Sequence, residues 1–334
     1  MNKKRGLFIA LLSLFFVFCY IGMSNKYDPL ARYPYATDEN RDIILKNLTT
    51  SAEIDYIISQ KIKPEEFMPY FGIDGFNVKN TLYYNVALKT REDNKENIVN
   101  FINNYREYFN LSTLEIYLKN YDYNQLGNSF YTINNYNSDL TLIANPSKIE
   151  LCINDDESIG YYIPSKLVVL SDIPNVNIVQ PGSSIYVSKQ VVEPLRRLKE
   201  DLSVYTNQSF GNLIVTKGYV SRDEQIKLYE QAMLTYGGDD WKKYEDIPGQ
   251  SEFQLGLTVK LAMASSKVDD DLENLQTTKW IQENAHKYGF IVRYPNGKES
   301  ITRKISDPFT LRYVGNKLAT SMYNDSLCLE EVDE

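Results

Sequence analysis

The sequence predicts an α+β protein in which a small, mainly helical module precedes a larger mixed domain. Three observations predict it. After Pro146, strand-like and helix-like segments are interspersed without the regular β-α-β repetition of a parallel sheet. Before it, apolar residues recur at helical spacing. An uncharged run at the N-terminus stands apart from both.

That run comes first. "MNKKRGLFIALLSLFFVFCYIGM" places Lys3, Lys4 and Arg5 ahead of 18 uncharged residues, Gly6 to Met23. As a helix they span about 27 Å, which just matches a hydrocarbon core. Residues 1–23 are therefore expected to be a membrane anchor crossing through residues 6–23, with the N-terminus cytoplasmic and the body extracytoplasmic. The alternative is a signal peptide and a secreted body, although "CYIGMSNKY" lacks a small-x-small cleavage site. The residues ahead of Cys19 (Phe16, Val17, Phe18) are also unlike a lipoprotein processing site.

Residues 24–40, with "YDPL" and "RYPY", read as a polar stalk. Residues 41–145 read as the helical module. "LTTSAEIDYIISQKIKPEEF" gives a helix capped by Thr50 or Ser51, with Ile54, Ile57 and Ile58 on one side and a break before Pro64. "KENIVNFINNYREYF" repeats the pattern through Ile98, Phe101, Ile102 and Tyr105. The aromatic cluster "YLKNYDYNQLGNSFYTINNY" suits sugar stacking or packing, and packing is the expected role.

Residues 146–334 form the mixed domain. "SKIELCIN", "KLVVLSDIP" and "GNLIVTKGYVS" look like strands. "SKQVVEPLRRLKEDLSVYT" is an amphipathic helix with Val191, Leu195, Leu198 and Leu202 on its inner face. "RDEQIKLYEQAMLTY" is a helix capped by Ser221, with Glu224 at the capping-box position. "TTKWIQENAHKYGF" is a helix stopped by Gly289, followed by strand-like "FIVRYP", the turn "PNGK" and "LRYVGNKLATSMY".

Composition narrows the function. The 334 residues are 43% hydrophobic and 24% charged, ordinary for a folded chain, and the net charge of −8 offers no basic surface for nucleic acid. Three cysteines are too few for a disulfide framework. Cys152 and Cys328 either pair or remain separate buried thiols.

Four segments carry the strongest signal: "TKGYVSRDEQIKLY", "PGQSEFQLGLTVKLA", "WIQENAHKYGFIVRYPNGKESIT" and "SDPFTLRYVG". In this order they resemble the VanY-type D-alanyl-D-alanine carboxypeptidases, zinc enzymes that trim D-alanine from peptidoglycan stem peptides. The resemblance covers residues 146–334. It implies the Hedgehog/DD-peptidase fold, an antiparallel sheet with flanking helices around a zinc cleft. The family's first His and its Asp lie in a Ser-x-His-x-x-Gly-x-x-x-Asp segment that aligns with Ser251 to Lys260, so these ligands become Phe253 and Lys260. A Glu-Pro-Trp-His segment aligns with Asp307 to Thr310; Thr310 replaces the second His and Asp307 the basic Glu. The arginine that steadies the oxyanion aligns with Val220.

The expected chemistry follows from those replacements. A catalytic zinc takes three protein donors and an open position for water. Phe253 has no lone pair, Lys260 brings a cation, and the single histidine of the chain, His286, lies outside the ligand set. No metal and no cofactor is therefore expected, and nothing would lower the pKa of an attacking water. Ser-His or Cys-His chemistry would depend on His286 alone, and no Ser-x-x-Lys occurs. An acid pair using Asp307 or Glu252 is the remaining hydrolytic arrangement.

Framework positions persist around the losses, and Tyr219, Ser221, Gln225, Ser251, Gln254, Lys260, Asp307 and Arg312 are candidates for lining a binding cleft. Lys260 is expected to stand in part of the cation's space and pair with Asp307. The leading expectation is a pseudoenzyme of the VanY type that binds peptidoglycan peptides or a cell-envelope protein without cutting. The alternatives are an active D,D-carboxypeptidase with an atypical site, and a structural interaction module whose cleft is plugged by Phe253 and Phe309.

Overall fold

The computed structural model describes residues 3–24, 28–172, 184–206, 213–263 and 276–332. The chain divides into two compact units, Met1–Arg106 and Glu107–Glu334.

The first unit is helical. Helix α1 spans Lys3–Ser24, yet no helix among the described residues is long and apolar enough to cross a membrane. The expected single-pass anchor, and the extracytoplasmic placement built on it, are therefore not supported. Three of the 22 residues of α1, Lys3, Lys4 and Arg5, are charged, which leaves an uncharged part of about 27 Å, at the short end for a hydrocarbon core of about 30 Å.

Helices α2 (Asp38–Asn47), α3 (Ser51–Ser59), α4 (Pro64–Phe67), α5 (Thr81–Thr90) and α6 (Lys95–Tyr105) complete this unit. Thr50 is the cap of α3: its hydroxyl accepts from the Glu53 amide at 3.3 Å, and the Glu53 carboxylate accepts from the Thr50 amide at 2.9 Å. Pro64 opens α4, where its missing N–H leaves no intrahelical bond unmade. Ile44, Leu48, Ile57, Ile62, Phe67 and Val78 are buried together as the core.

The second unit begins earlier than residue 146. Helices α7 (Leu111–Asn120) and α8 (Tyr123–Tyr136) belong to it. Part of the aromatic cluster packs and bonds inward, while Tyr131 and Tyr136 of α8 are exposed. The Tyr117 and Tyr121 hydroxyls donate to the carbonyls of Leu142 and Ile143, each at 2.8 Å, and Phe130 is buried. Two small ladders follow: β1 (Thr141–Leu142) pairs parallel with β2 (Glu157–Ser158), and β3 (Leu167–Val169) antiparallel with β4 (Tyr186–Ser188). The strand expected over "SKIELCIN" does not form. Asn145 bends the chain at Ser147 through a 3.3 Å bond to its amide, and the Leu151 amide turns back to Lys148.

Helix α9 (Lys189–Thr206) leads to the main sheet, built from β5 (Leu213–Lys217), β6 (Thr258–Met263), β7 (Phe290–Tyr294) and β8 (Asp307–Tyr313). The strand order is β5-β6-β8-β7, and every pairing is antiparallel. Helices α10 (Arg222–Tyr236), α11 (Gln276–Asn284), α12 (Glu299–Thr302) and α13 (Asn316–Asp325) connect and flank it. Ser221 caps α10, accepting from the Glu224 amide. The helix expected to run to Gly289 is α11 followed by a 3₁₀ turn over Ala285–Tyr288, which Gly289 ends at φ +82°.

Candidate functional site

The site is set by the register of the central strands. Lys217 lies opposite Lys260 across β5 and β6, and Lys260 lies opposite Thr310 across β6 and β8. Directly opposed residues share a face, so these three side chains form one row. A register shift between Val215 and Lys217 brings Lys217 into it.

The row ends on Asp307. The Lys260 Nζ is 2.8 Å from Asp307 Oδ2, inside the ion-pair limit, and the Thr310 hydroxyl donates to the same oxygen at 2.9 Å. The Phe309 amide donates to Oδ1 at 3.0 Å, fixing the carboxylate from behind. The Lys260 side chain is 49% exposed, so one side of the ammonium faces solvent. Beside it, Lys217 Nζ sits 4.4 Å from the centre of the buried Phe253 ring and 3.4 Å from Glu245 Oε1. Val220 is buried, its amide donating to the Phe253 carbonyl. All five replaced positions thus bond to another of the set: Lys260 and Thr310 through Asp307, and Val220 to Phe253.

The other cleft candidates support the scaffold. Gln225 is fully buried and donates from Nε2 to Glu245 Oε1 and the Asp246 carbonyl, each at 2.9 Å. Gln254 is fully buried and donates to the carbonyls of Gly160 and Tyr162, each at 3.0 Å. Ser251 is buried, and Ser221 serves as a cap. The Tyr219 amide bonds the Tyr186 carbonyl; burial raises its phenol pKa, with Asp223 and Glu224 adding to the rise. Arg312, without exposed surface, donates to Glu252 Oε2 at 3.1 Å and to the Leu151 carbonyl at 3.1 Å. Phe309 is buried and its amide bonds Asp307; of the two expected plugs, Phe253 is the one seen against the row, under Lys217.

Glu252 is not half of an acid pair. Arg293 grips it bidentately, with two bonds of 2.9 Å, while Arg312 takes one of the same oxygens. Arg293 also grips Glu330 at 2.8 and 3.1 Å. Burial alone would lower the Arg293 pKa, but Glu252 and Glu330 outweigh it and hold the guanidinium charged.

Sequence reasoning missed a second charged set. Asp246 and Lys304 pair at 2.7 Å, and the Lys304 ammonium also bonds the Glu245 carbonyl. Burial pushes the Asp246 carboxyl up, yet Lys304 beside it prevails and keeps it below its ordinary value. A cavity of about 620 Å³ opens here, lined in part by Trp241, Glu245, Asp246, Arg293 and Tyr294. Lys217 and Glu245 connect it to the row. Only the position of Lys217 before "GYVS" was available as a sequence signal; the partners lie far apart along the chain.

These residues do not fit a catalytic zinc. A ring, an ammonium and a hydroxyl already donating to Asp307 stand where three metal donors are required. Among the described residues, no group of three or more His, Cys, Asp or Glu is placed to hold a metal. His286 stacks on Tyr323 at 3.9 Å, and burial, aided by Lys287, lowers its pKa. Cys152 and Cys328 are unpaired, and burial pushes both thiols up to about 12. Neither supplies a thiolate nucleophile at neutral pH.

Comparison with known proteins agrees with this frame. Residues 184–316 match the family model of VanY, D-alanyl-D-alanine carboxypeptidase. YodJ of Bacillus subtilis (strain 168), named as a carboxypeptidase, is 32% identical over 200 residues, 58% of this chain and 70% of that protein. A D-alanyl-D-alanine carboxypeptidase of Enterococcus faecium is 32% identical over 150 residues, 45% of this chain but only 44% of that relative. Among solved structures, the LdcB LD-carboxypeptidase, described as revealing the basis of peptidoglycan recognition, superposes with a TM-score of 0.50 at 30% identity. That match covers 57% of this chain and 88% of LdcB. With the four segments in family order on an antiparallel sheet, and likeness across most of YodJ, this chain belongs to the VanY family of D-alanyl-D-alanine carboxypeptidases.

Proposed function

We propose that this chain is a non-hydrolytic member of its family, which binds peptidoglycan stem peptides without cutting them. The observation that carries the reading is the Lys260 ammonium, bonded to Asp307 at the position of a metal ligand. An ammonium has no lone pair with which to ligate a metal. Asp307 is bound by Lys260, Thr310 and the Phe309 amide, and is therefore engaged where a base would have to be free. Peptide binding is favoured over a plugged, purely structural module by the cavity of about 620 Å³, whose lining residue Glu245 pairs with Lys217 of the row. It is also favoured by the two neighbouring ammonium groups of the row, Lys217 and the half-exposed Lys260 side chain, which suit a carboxylate such as a peptide end.

The test is to incubate the full chain with a pentapeptide ending in D-Ala-D-Ala, with zinc and with a chelator, and to measure free D-alanine and peptide binding together. The expected result is saturable binding with no release of D-alanine above background. Release that the chelator abolishes establishes the active-enzyme alternative instead. Absence of both binding and release favours the protein-interaction alternative.

A further inference from the structure

The β6–β8 ladder stops at the row. Its register runs Thr258–Arg312, Val259–Leu311 and Lys260–Thr310. Asp307 lies three residues beyond that last pair and is matched instead to Tyr294 of β7, across a register shift between Val292 and Tyr294. The head of β8 is thus irregular on one side and beyond the pairing with β6 on the other. The Lys260–Asp307 bond is what spans from β6 to this head. Thr310 anchors the same carboxylate from within β8. A second ammonium, Lys217, lies opposite Lys260, with Glu245 as its partner and Phe253 beneath it.

We infer that Lys260 is a built-in cation: it neutralises Asp307 and ties the head of β8 to β6, so that the cleft assembles without any metal. Lys260 is then a positioning residue, and Lys217 supplies the adjoining positive charge over Phe253. The inference does not depend on peptide binding, because its readouts are stability and amide exchange of the free chain.

The experiment follows thermal unfolding and hydrogen exchange of the full chain. Zinc or a chelator should leave the wild-type Tm unchanged. Lys260→Met should lower it by roughly 2–4 °C, the response to losing one modest interaction in a domain of this size, and should speed exchange at Phe309 and Thr310. Lys260→Arg should retain both properties. Lys260→Asp, which opposes a carboxylate to Asp307, should fall further and be restored by millimolar Mn²⁺ or Zn²⁺, whereas neutral Lys260→Asn should not respond to the ions. Stabilisation of the wild type by zinc overturns the inference. So does a Lys260→Met variant equal to wild type in both readouts, or a Lys260→Asp variant that metal does not rescue. An equal response of Lys260→Asn to metal would place the ion elsewhere and overturn it too.

Discussion

Replacing Glu252 by Gln gives the most demanding test of how the cleft is held. Glu252 is 5% exposed and receives three charged bonds, two from Arg293 and one from Arg312. In the variant, Arg293 keeps Glu330, but Arg312, which has no exposed surface, keeps only the carbonyls of Tyr313 and Leu151. Removing one partner from a buried ion pair costs about 3–5 kcal/mol, because the surviving charge remains desolvated. At roughly 2–4 °C per kcal/mol, this implies a fall in Tm of about 6–20 °C. Both tryptophans, Trp241 and Trp280, lie in the second unit, so their fluorescence in a urea titration reports the unit that carries the network. Glu330→Gln should cost about 1 kcal/mol, because Glu330 is 22% exposed and Arg293 retains its bidentate partner. A loss below about 1 kcal/mol for Glu252→Gln, or equal losses for the two variants, would refute the assignment of Glu252 as the hub.

Acid should weaken the fold through two depressed carboxyls. Lys298 and the Cys328 amide hold Glu331 at about 2, and Lys304 prevails over burial to lower Asp246. Both contributions are complete above the unfolded carboxylate values and fade as pH falls through the folded ones. Lys298→Met should flatten the acid limb of a stability–pH curve between about 4.5 and 2, and an unchanged limb would count against the pairing. Thiol titration of the folded chain with Ellman's reagent at pH 8 should find Cys19 reactive, since it is exposed, and Cys152 and Cys328 slow. Three equally fast thiols would contradict the burial of the last two. Gly256→Ala should cost about 1–3 kcal/mol in the same urea titration. Its φ is +68°, and a Cβ there would lie 3.0 Å from Leu167 Cδ2 and 3.2 Å from the Ser188 amide nitrogen. A neutral substitution would show that the turn after the 3₁₀ segment tolerates an L side chain.

What could be read in advance was local or was carried by the family segments. Caps at Thr50 and Ser221, the start at Pro64 and the stop at Gly289 are each fixed by chemistry within four residues. The proximity of Lys260 and Asp307, 47 positions apart, became legible only through alignment to a known site. Contacts made by this chain alone had no such guide. Arg312 reaches Glu252 across 60 positions and Lys304 reaches Asp246 across 58, and no short pattern encodes either pairing. The strand expected over residues 147–154 failed because an asparagine turn competes with β-pairing, which periodicity does not register. Residues 107–145 could not be placed by composition, since the helices on both sides of Arg106 have the same texture.

The ladder between β6 and β8 separates the placing of the row from its chemistry. Main-chain pairing sets position 260 opposite position 310, whichever side chains the codons supply. The strands therefore fix where the row lies, and substitutions at positions 260 and 310 change its chemistry without changing how β6 and β8 pair.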